Sequence, residues 1–215
     1  MTKKDEAIID ILKMFKDENP DSFNYVVPNL FTKKMKSYML IREDLRSMIE
    51  ILTKLIAFRG QLEPDKALCF ALWQSIIVTY GKCFTENKAG LSKLEKSVLD
   101  DKDQNLRDLH EVLMDLRHSY IAHRDDTDKE QAVVFMKIPI QKENGNRTEY
   151  QIRTRKLAAP AAATLKTYLE LFNVLTTIVE QKIQKQAEKA HRGFWDTLSP
   201  KQISLLLINN MKDLD

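Results

Sequence analysis

The sequence is poor in the residues that interrupt helices or cross-link small folds. Of its 215 residues, 5 are glycine, 6 are proline and 2 are cysteine. Scarce glycine and proline disfavour a β fold with many turns and favour long helices. The two cysteines, Cys69 and Cys83, form no CxxC pair, which excludes a disulfide scaffold and a cysteine-rich zinc site. We expect both thiols to be buried as small apolar groups.

Long apolar runs and an excess of one charge are also missing. No uninterrupted apolar stretch approaches the ~18 residues that a membrane span needs, and the N-terminal segment MTKKDEAIIDILKMFKDE is charged throughout, unlike a secretory signal. We therefore expect a cytoplasmic protein without a membrane partner. The 34 basic and 31 acidic residues leave a net charge of +3, which permits nucleic-acid binding without indicating it.

Apolar residues recur at helical spacing over most of the chain. The middle of one such segment, ALCFALWQSIIVTY, is almost wholly apolar, so we expect it to form the central and most buried helix. The predicted long helices cover residues 39–59, about 64–84, 103–123 and 158–190, and shorter ones cover 5–16 and 199–211.

The period changes in two stretches that are β-branched and alternating, AVVFMKIPI at 132–140 and RTEYQIRT at 147–154. The segment KENGN between them contains an Asn-Gly pair, which is typical of a β-hairpin. Pro139 places the first strand at an edge or ends it. The sequence thus predicts a single mainly α domain over 1–215, an antiparallel bundle of four or more helices with a β-hairpin inserted at about 132–154. Its core is about 40–190, with a helical extension at 1–38 and a short helix within 191–215.

The densest cluster of titratable groups is LRHSYIAHRDD, Leu116–Asp126. Arg117 and His123 stand with five residues between them, and the polar His118 directly follows the arginine. This arrangement resembles the ribonuclease motif of the HEPN superfamily (higher-eukaryote and prokaryote nucleotide-binding helical domains), which is written R-x4–6-H. The wider string is similar to the abortive-infection U-type (AbiU-like) branch. The segment SIIVTYGKCF at 75–84 also resembles the second helix of that branch. The likeness extends over roughly 40–190.

The resemblance implies a metal-independent endoribonuclease of the toxin or abortive-infection kind, active as a homodimer on RNA and without a cofactor. RNA carries its own nucleophile, the 2′-OH. Histidine can move protons near neutrality, and arginine offers a permanently charged fork to phosphate. We therefore assign His123 as general acid or base and Arg117 as phosphate clamp. His118 binds phosphate or orients the other two residues. His110 and Arg124 extend a basic column that would contact further phosphate.

Helical geometry complicates a site within one chain. On an ideal α-helix, Arg117 and His123 lie about −120° apart and share no face. His123 falls instead on the apolar stripe of Leu109, Leu116 and Tyr120. Either the helix unwinds near 121–123, or two copies of the motif meet across a two-fold axis, which the resemblance favours.

Other readings stay open. A histidine on an apolar stripe is by default a core residue, Arg117 can pair with Asp125, and the basic column can be a solvated face. The same fold can serve as a non-catalytic module that binds RNA, a nucleotide or a protein, or as a helical interaction protein that docks through basic residues 182–192. Asp125 stands where some HEPN toxins carry a tyrosine that a partner modifies, which argues against that form of control.

Overall fold

The structure is a computed structural model that describes residues 11, 13–18, 29–61, 63–86, 90–122, 131–137, 149–155 and 157–199. It is mainly helical and contains a two-stranded antiparallel sheet, which confirms the predicted fold class of a helical bundle with an inserted hairpin. The elements are α1 (residues 11 and 13–18), α2 (Asn29–Arg59), α3 (Lys66–Phe84), a 3-10 turn (Lys96–Leu99), α4 (Gln104–Asp115), a π-helix (Leu116–Ala122), β1 (Gln131–Lys137), β2 (Glu149–Arg155) and α5 (Ala162–Thr197).

The chain divides into two compact units. The larger unit runs from Lys36 to Ile183, and the predicted core of about 40–190 overlaps most of it. The smaller unit combines the two ends of the chain, residues 1–35 and 184–215, and its buried side chains include Thr32, Ala190 and Phe194. The predicted short helix at 199–211 lies almost wholly outside the described residues.

Two helices are longer than the sequence predicted. α2 begins at Asn29 rather than at Met39, and its first turns contain Lys33, Lys34 and Lys36. Positive charge opposes the helix dipole at an N-terminus, so this stretch carries no sequence signal of a helix start. α5 begins at Ala162, two residues after Pro160, and continues to Thr197 instead of ending near 190.

The core of the larger unit lies between α2, α3 and α5. As expected, α3 is the most apolar helix, with eight buried residues, and by length and hydropathy it is the only described helix that would also suit a membrane span, a test that a core helix passes equally. Burying a large apolar side chain contributes about 1.5–3 kcal/mol. The fully buried side chains on the three helices include Leu45, Met48, Leu52, Leu55, Trp73, Ile76, Ile77, Tyr80, Leu165, Phe172 and Leu175.

On one face of the hairpin, apolar residues of the two strands lie opposite each other. Val134 of β1 lies opposite Ile152 of β2, and Met136 lies opposite Tyr150. Directly opposed residues in an antiparallel pair share a face, and all four are exposed. β1 is described over Gln131–Lys137, and Pro139 lies outside the described residues. The predicted KENGN turn lies outside the described residues.

Two aspartates at helix starts allow a matched test of capping. Asp65 is the N-cap of α3, and its Oδ1 accepts from the N–H groups of Ala67 at 2.9 Å and Leu68 at 3.0 Å. Asp103 is the N-cap of α4 but makes no side-chain cap bond. We expect Asp65→Ala to lower the free energy of unfolding by about 1 kcal/mol, because two helix N–H groups lose their acceptor. Asp103→Ala should cost less than half of that in urea titrations, and equal losses would contradict the capping assignment.

Candidate functional site

The motif coincides with a change in helix type. α4 ends at Asp115, and the chain continues as a π-helix over Leu116–Ala122, LRHSYIA. The sequence predicted a helix as far as about His123. The chain is helical to Ala122, with π-type hydrogen bonding from Leu116 onward, and His123 lies outside the described residues. A π-helix bonds each residue to the fifth one along, usually forms one turn, and occurs frequently at functional sites. The irregular backbone therefore falls on the same residues that the motif singled out.

Two local hydrogen-bond features accompany the change. The hydroxyl of Ser119 donates to the backbone carbonyl of Asp115 at 2.6 Å and lies 3.2 Å from its carboxylate Oδ1. In an α-helix that carbonyl would accept from the N–H of Ser119 itself, so the side chain competes with the α pattern. One residue after Asp115, the N–H of Leu116 is shared between the carbonyls of Val112 and Leu113. The α ladder is thus already weakened where the π-helix begins.

Arg117 and His118 form a hydrogen-bonded pair at the start of the π-helix. Nη1 of Arg117 lies 3.2 Å from Nδ1 of His118. A guanidinium only donates, so Nδ1 must accept and the ring proton resides on Nε2. His118 is exposed and Arg117 is half-buried. This contact fixes the tautomer of the histidine and orients the guanidinium beside it.

Gly81 of α3 makes room for the stem of Arg117. A Cβ atom at Gly81 would lie 2.6 Å from Cγ of Arg117 and 3.1 Å from its Cδ and Nε atoms. Glycine inside a helix is about 1 kcal/mol less favourable than alanine, and here the close approach of the arginine explains its presence. Sequence reasoning missed this residue, although a single glycine within the apolar SIIVTYGKCF is the kind of signal that marks close packing.

His110 faces the core instead of forming an exposed basic column with Arg117. Its side chain is 4% exposed, and its Nδ1 lies 2.7 Å from the hydroxyl of Tyr80. The rings of Phe84 and Tyr80 flank it, with centroids 4.6 Å and 5.8 Å away. Burial lowers the pKa of His110, Lys96 adds to the shift, and Glu111 opposes it. His110 is therefore neutral at pH 7 and offers no positive charge to a phosphate, and its predicted phosphate-binding role stays a prediction.

A pocket of about 490 Å³ brings two of the candidate residues together. His110 and His118 both line it, and both come from the stretch where α4 passes into the π-helix. Arg117 does not line the pocket, but it is hydrogen-bonded to His118, which does. The remaining predicted site residues, His123 and Arg124, lie outside the described residues. The structure thus brings Arg117, His118 and His110 into one neighbourhood.

Other reactive groups of the described residues show no sign of chemistry. Cys69 and Cys83 are both buried, as expected, and burial raises the pKa of the Cys83 thiol to about 12. A thiol that stays protonated is a poor nucleophile and metal ligand. Among the described residues, no group of three or more His, Cys, Asp or Glu side chains could hold a metal ion.

Comparisons of the chain with protein-family models, with curated proteins and with solved structures found no match. The likeness of Leu116–Asp126 to the HEPN ribonuclease motif therefore depends on the sequence motif alone. What that likeness implies for activity is treated below as a proposal.

Gly81→Ala tests whether the glycine positions Arg117. The new methyl group would overlap Cγ of Arg117, so we expect the arginine to change rotamer and to lose its bond to Nδ1 of His118. Ring ¹⁵N chemical shifts of His118 should then report a mixture of tautomers. The unfolding free energy should change by no more than about 1 kcal/mol, because alanine also improves the helix.

Gly60→Ala is the matched control, since a Cβ there meets only backbone oxygens at ordinary distances of 3.4 Å or more. It should leave the His118 shifts unchanged. Unaltered shifts in Gly81→Ala would show that the glycine has no role in placing Arg117.

The buried, neutral His110 gives stability a specific pH dependence. Its pKa in the fold lies below 6.5, the value for an exposed histidine. As pH falls below about 6.5, the unfolded chain therefore takes up a proton before the folded chain does, and stability declines. The contribution is complete above this value and is lost down to the lowered pKa of the fold.

His110→Gln removes this titration but keeps an acceptor for Tyr80. Urea titrations between pH 7.5 and pH 5 should show a shallower loss of stability in the variant than in the natural protein. The two slopes would coincide if His110 titrated as an exposed histidine does.

Proposed function

We propose that the protein is a metal-independent endoribonuclease of the toxin or abortive-infection kind, active as a homodimer. The observation that carries the proposal is the π-helix over LRHSYIA, in which Arg117 is placed by Gly81 and bonded to His118. A guanidinium held in one position favours phosphate binding, because less entropy is lost when the ligand arrives. The motif resemblance adds His123 as the group that transfers protons.

The proposed chemistry uses the nucleophile of the substrate. The 2′-oxygen of RNA loses its proton to a base and attacks the adjacent phosphorus, and the bond from phosphorus to the 5′-oxygen of the next nucleotide breaks. The leaving oxygen takes up a proton, which gives a 2′,3′-cyclic phosphate and a 5′-hydroxyl. His123 serves as base or acid, and Arg117 stabilises the added negative charge on the phosphorane.

His118 has a supporting role in this scheme. Because its Nδ1 accepts from Arg117, its Nε2 carries the proton and can donate to a phosphate oxygen. A neutral imidazole that donates in this way orients the phosphate and leaves the proton transfers to His123. A second motif from the partner copy would complete the cleft, since each copy contributes one Arg117 and one His123.

A non-catalytic nucleotide-binding or RNA-binding module is the second candidate. The pocket lined by His110 and His118 favours it, because about 490 Å³ is a volume typical of small-molecule sites. Binding without cleavage requires only this pocket and the arginine. Measuring binding and cleavage separately distinguishes the two candidates.

The double variant Arg117→Ala, His123→Ala tests the activity. We expect cleavage of single-stranded RNA to fall by at least about 100-fold, because both the phosphate clamp and the proton transfer are lost. Gly81→Ala should lower cleavage less severely. A metal chelator should have no effect. Cleavage unchanged in the double variant, or abolished by the chelator, would sink the proposal.

The matched control is His191→Ala, Arg192→Ala, which removes an exposed histidine and arginine from α5. This variant should retain full cleavage. The two single variants at Arg117 and His123 also test the shared cleft. Mixed in equal amounts, they should regain activity at least about tenfold above either alone, since a mixed dimer contains one intact arginine and one intact histidine. Monomers at working concentration would contradict the shared cleft.

A further inference from the structure

The hydrogen bond between Tyr80 and His110 defines which nitrogen of the histidine carries the proton. Tyr80 is fully buried, and burial keeps its pKa well above the ordinary value, so the hydroxyl retains its hydrogen. Among the described residues, Nδ1 of His110 is the acceptor within reach of that hydrogen, at 2.7 Å. Tyr80 therefore donates and Nδ1 accepts. The proton of the neutral ring lies on Nε2.

Nε2 of His110 is left as a donor without a described partner, on a residue that lines the pocket. It donates to no described residue. Since it is not one of the atoms that are both fully buried and without a partner in the described residues, the atom is partly accessible. Because the residue is 4% exposed and lines the pocket, the pocket is where a ligand can reach its ring. A donor that no described residue satisfies favours a ligand with an acceptor.

Apolar groups give the pocket surfaces for a flat ligand. Phe84, Leu94 and Met114 line it beside His110. The rings of Phe84 and His110 meet edge to face with centroids 4.6 Å apart, so the aromatic surface is held rigidly. A pocket of this volume with one directed donor is suited to a single aromatic heterocycle.

The charges around the pocket disfavour phosphate. Two lysines, Lys93 and Lys96, stand against three carboxylates, Glu95, Glu111 and Asp115. Both lysines are already engaged, since Nζ of Lys96 lies 2.5 Å from a carboxylate oxygen of Glu111, and Lys93 lies 3.5 Å from Glu86 outside the lining. A net negative lining repels an anion and attracts N–H donors.

We propose that this pocket is a nucleobase subsite, with Nε2–H of His110 as the donor in its wall and the carboxylates as acceptors. Guanine fits it best among the four bases, because its O6 acceptor lies beside N–H donors. The subsite rests on the proposed function in that the base belongs to the RNA whose phosphate meets Arg117. His118 links the two, since it lines the pocket and is bonded to that arginine.

Two tryptophan substitutions on α4 test the subsite. Met114→Trp places a large side chain in the pocket, whereas Val112→Trp adds the same side chain at a position that is 45% exposed and outside the lining. In calorimetric titrations with guanosine, Met114→Trp should weaken binding at least tenfold, and Val112→Trp should change it less than twofold. Inorganic phosphate should not compete with guanosine, and uridine should bind more weakly.

A second variant isolates the donor. Tyr80→Phe, His110→Phe removes both partners of the buried hydrogen bond together, a change that leaves no polar atom unpaired and so preserves the fold. It should also weaken guanosine binding at least tenfold. Equal binding of guanosine by Met114→Trp and Val112→Trp, competition by phosphate, or uridine binding as tight as guanosine would overturn the subsite.

The titrations are repeated in Arg117→Ala, His123→Ala, so that the two proposals fail separately. Guanosine binding should persist in this variant. If the natural protein also binds guanosine but does not cleave RNA, the nuclease is rejected and the subsite is kept. Cleavage that depends on Arg117 and His123 but is indifferent to Met114→Trp would reject the subsite and keep the nuclease.

Discussion

The contact of α3 with α4 and the π-helix is the constraint on which the candidate site depends. Tyr80 and Gly81 are neighbours on α3. Tyr80 contacts His110 on α4, and Gly81 contacts Arg117, seven residues later, on the π-helix. The hydroxyl of Tyr80 fixes the ring of His110, while the missing side chain of Gly81 admits the stem of Arg117. Since α3 is buried along much of its length, neither partner can shift without disturbing the core.

This arrangement places two basic residues of the sequence, His110 and Arg117, in different environments. His110 is neutral because burial disfavours its charged form, and it has become a directed hydrogen-bond donor. Arg117 keeps its charge at any pH in the working range and presents it at the surface beside His118. The proposed division of labour follows from these environments, with the base of an RNA ligand in the neutral pocket and its phosphate at the arginine.

Much of the architecture could be predicted from periodicity. The apolar run of α3, the amphipathic α4 and the alternating hairpin each bury or expose a face in the period of their own backbone, so local sequence specifies them. Helix ends were less predictable. The basic residues that open α2 carry no capping signal, and the extension of α5 to Thr197 passes through polar residues that are compatible with either helix or loop.

By itself, the sequence determined the fold class and the position of the motif, because both depend on residue types at fixed spacing. The tertiary structure decided which titratable groups in and near the motif face solvent and which face the core. His110 is seven residues from Arg117, and an ideal α-helix would place both on nearly one line. The π-helix, the hydroxyl of Tyr80 and the space at Gly81 separate their environments, and these arise from contact between helices that no local pattern encodes.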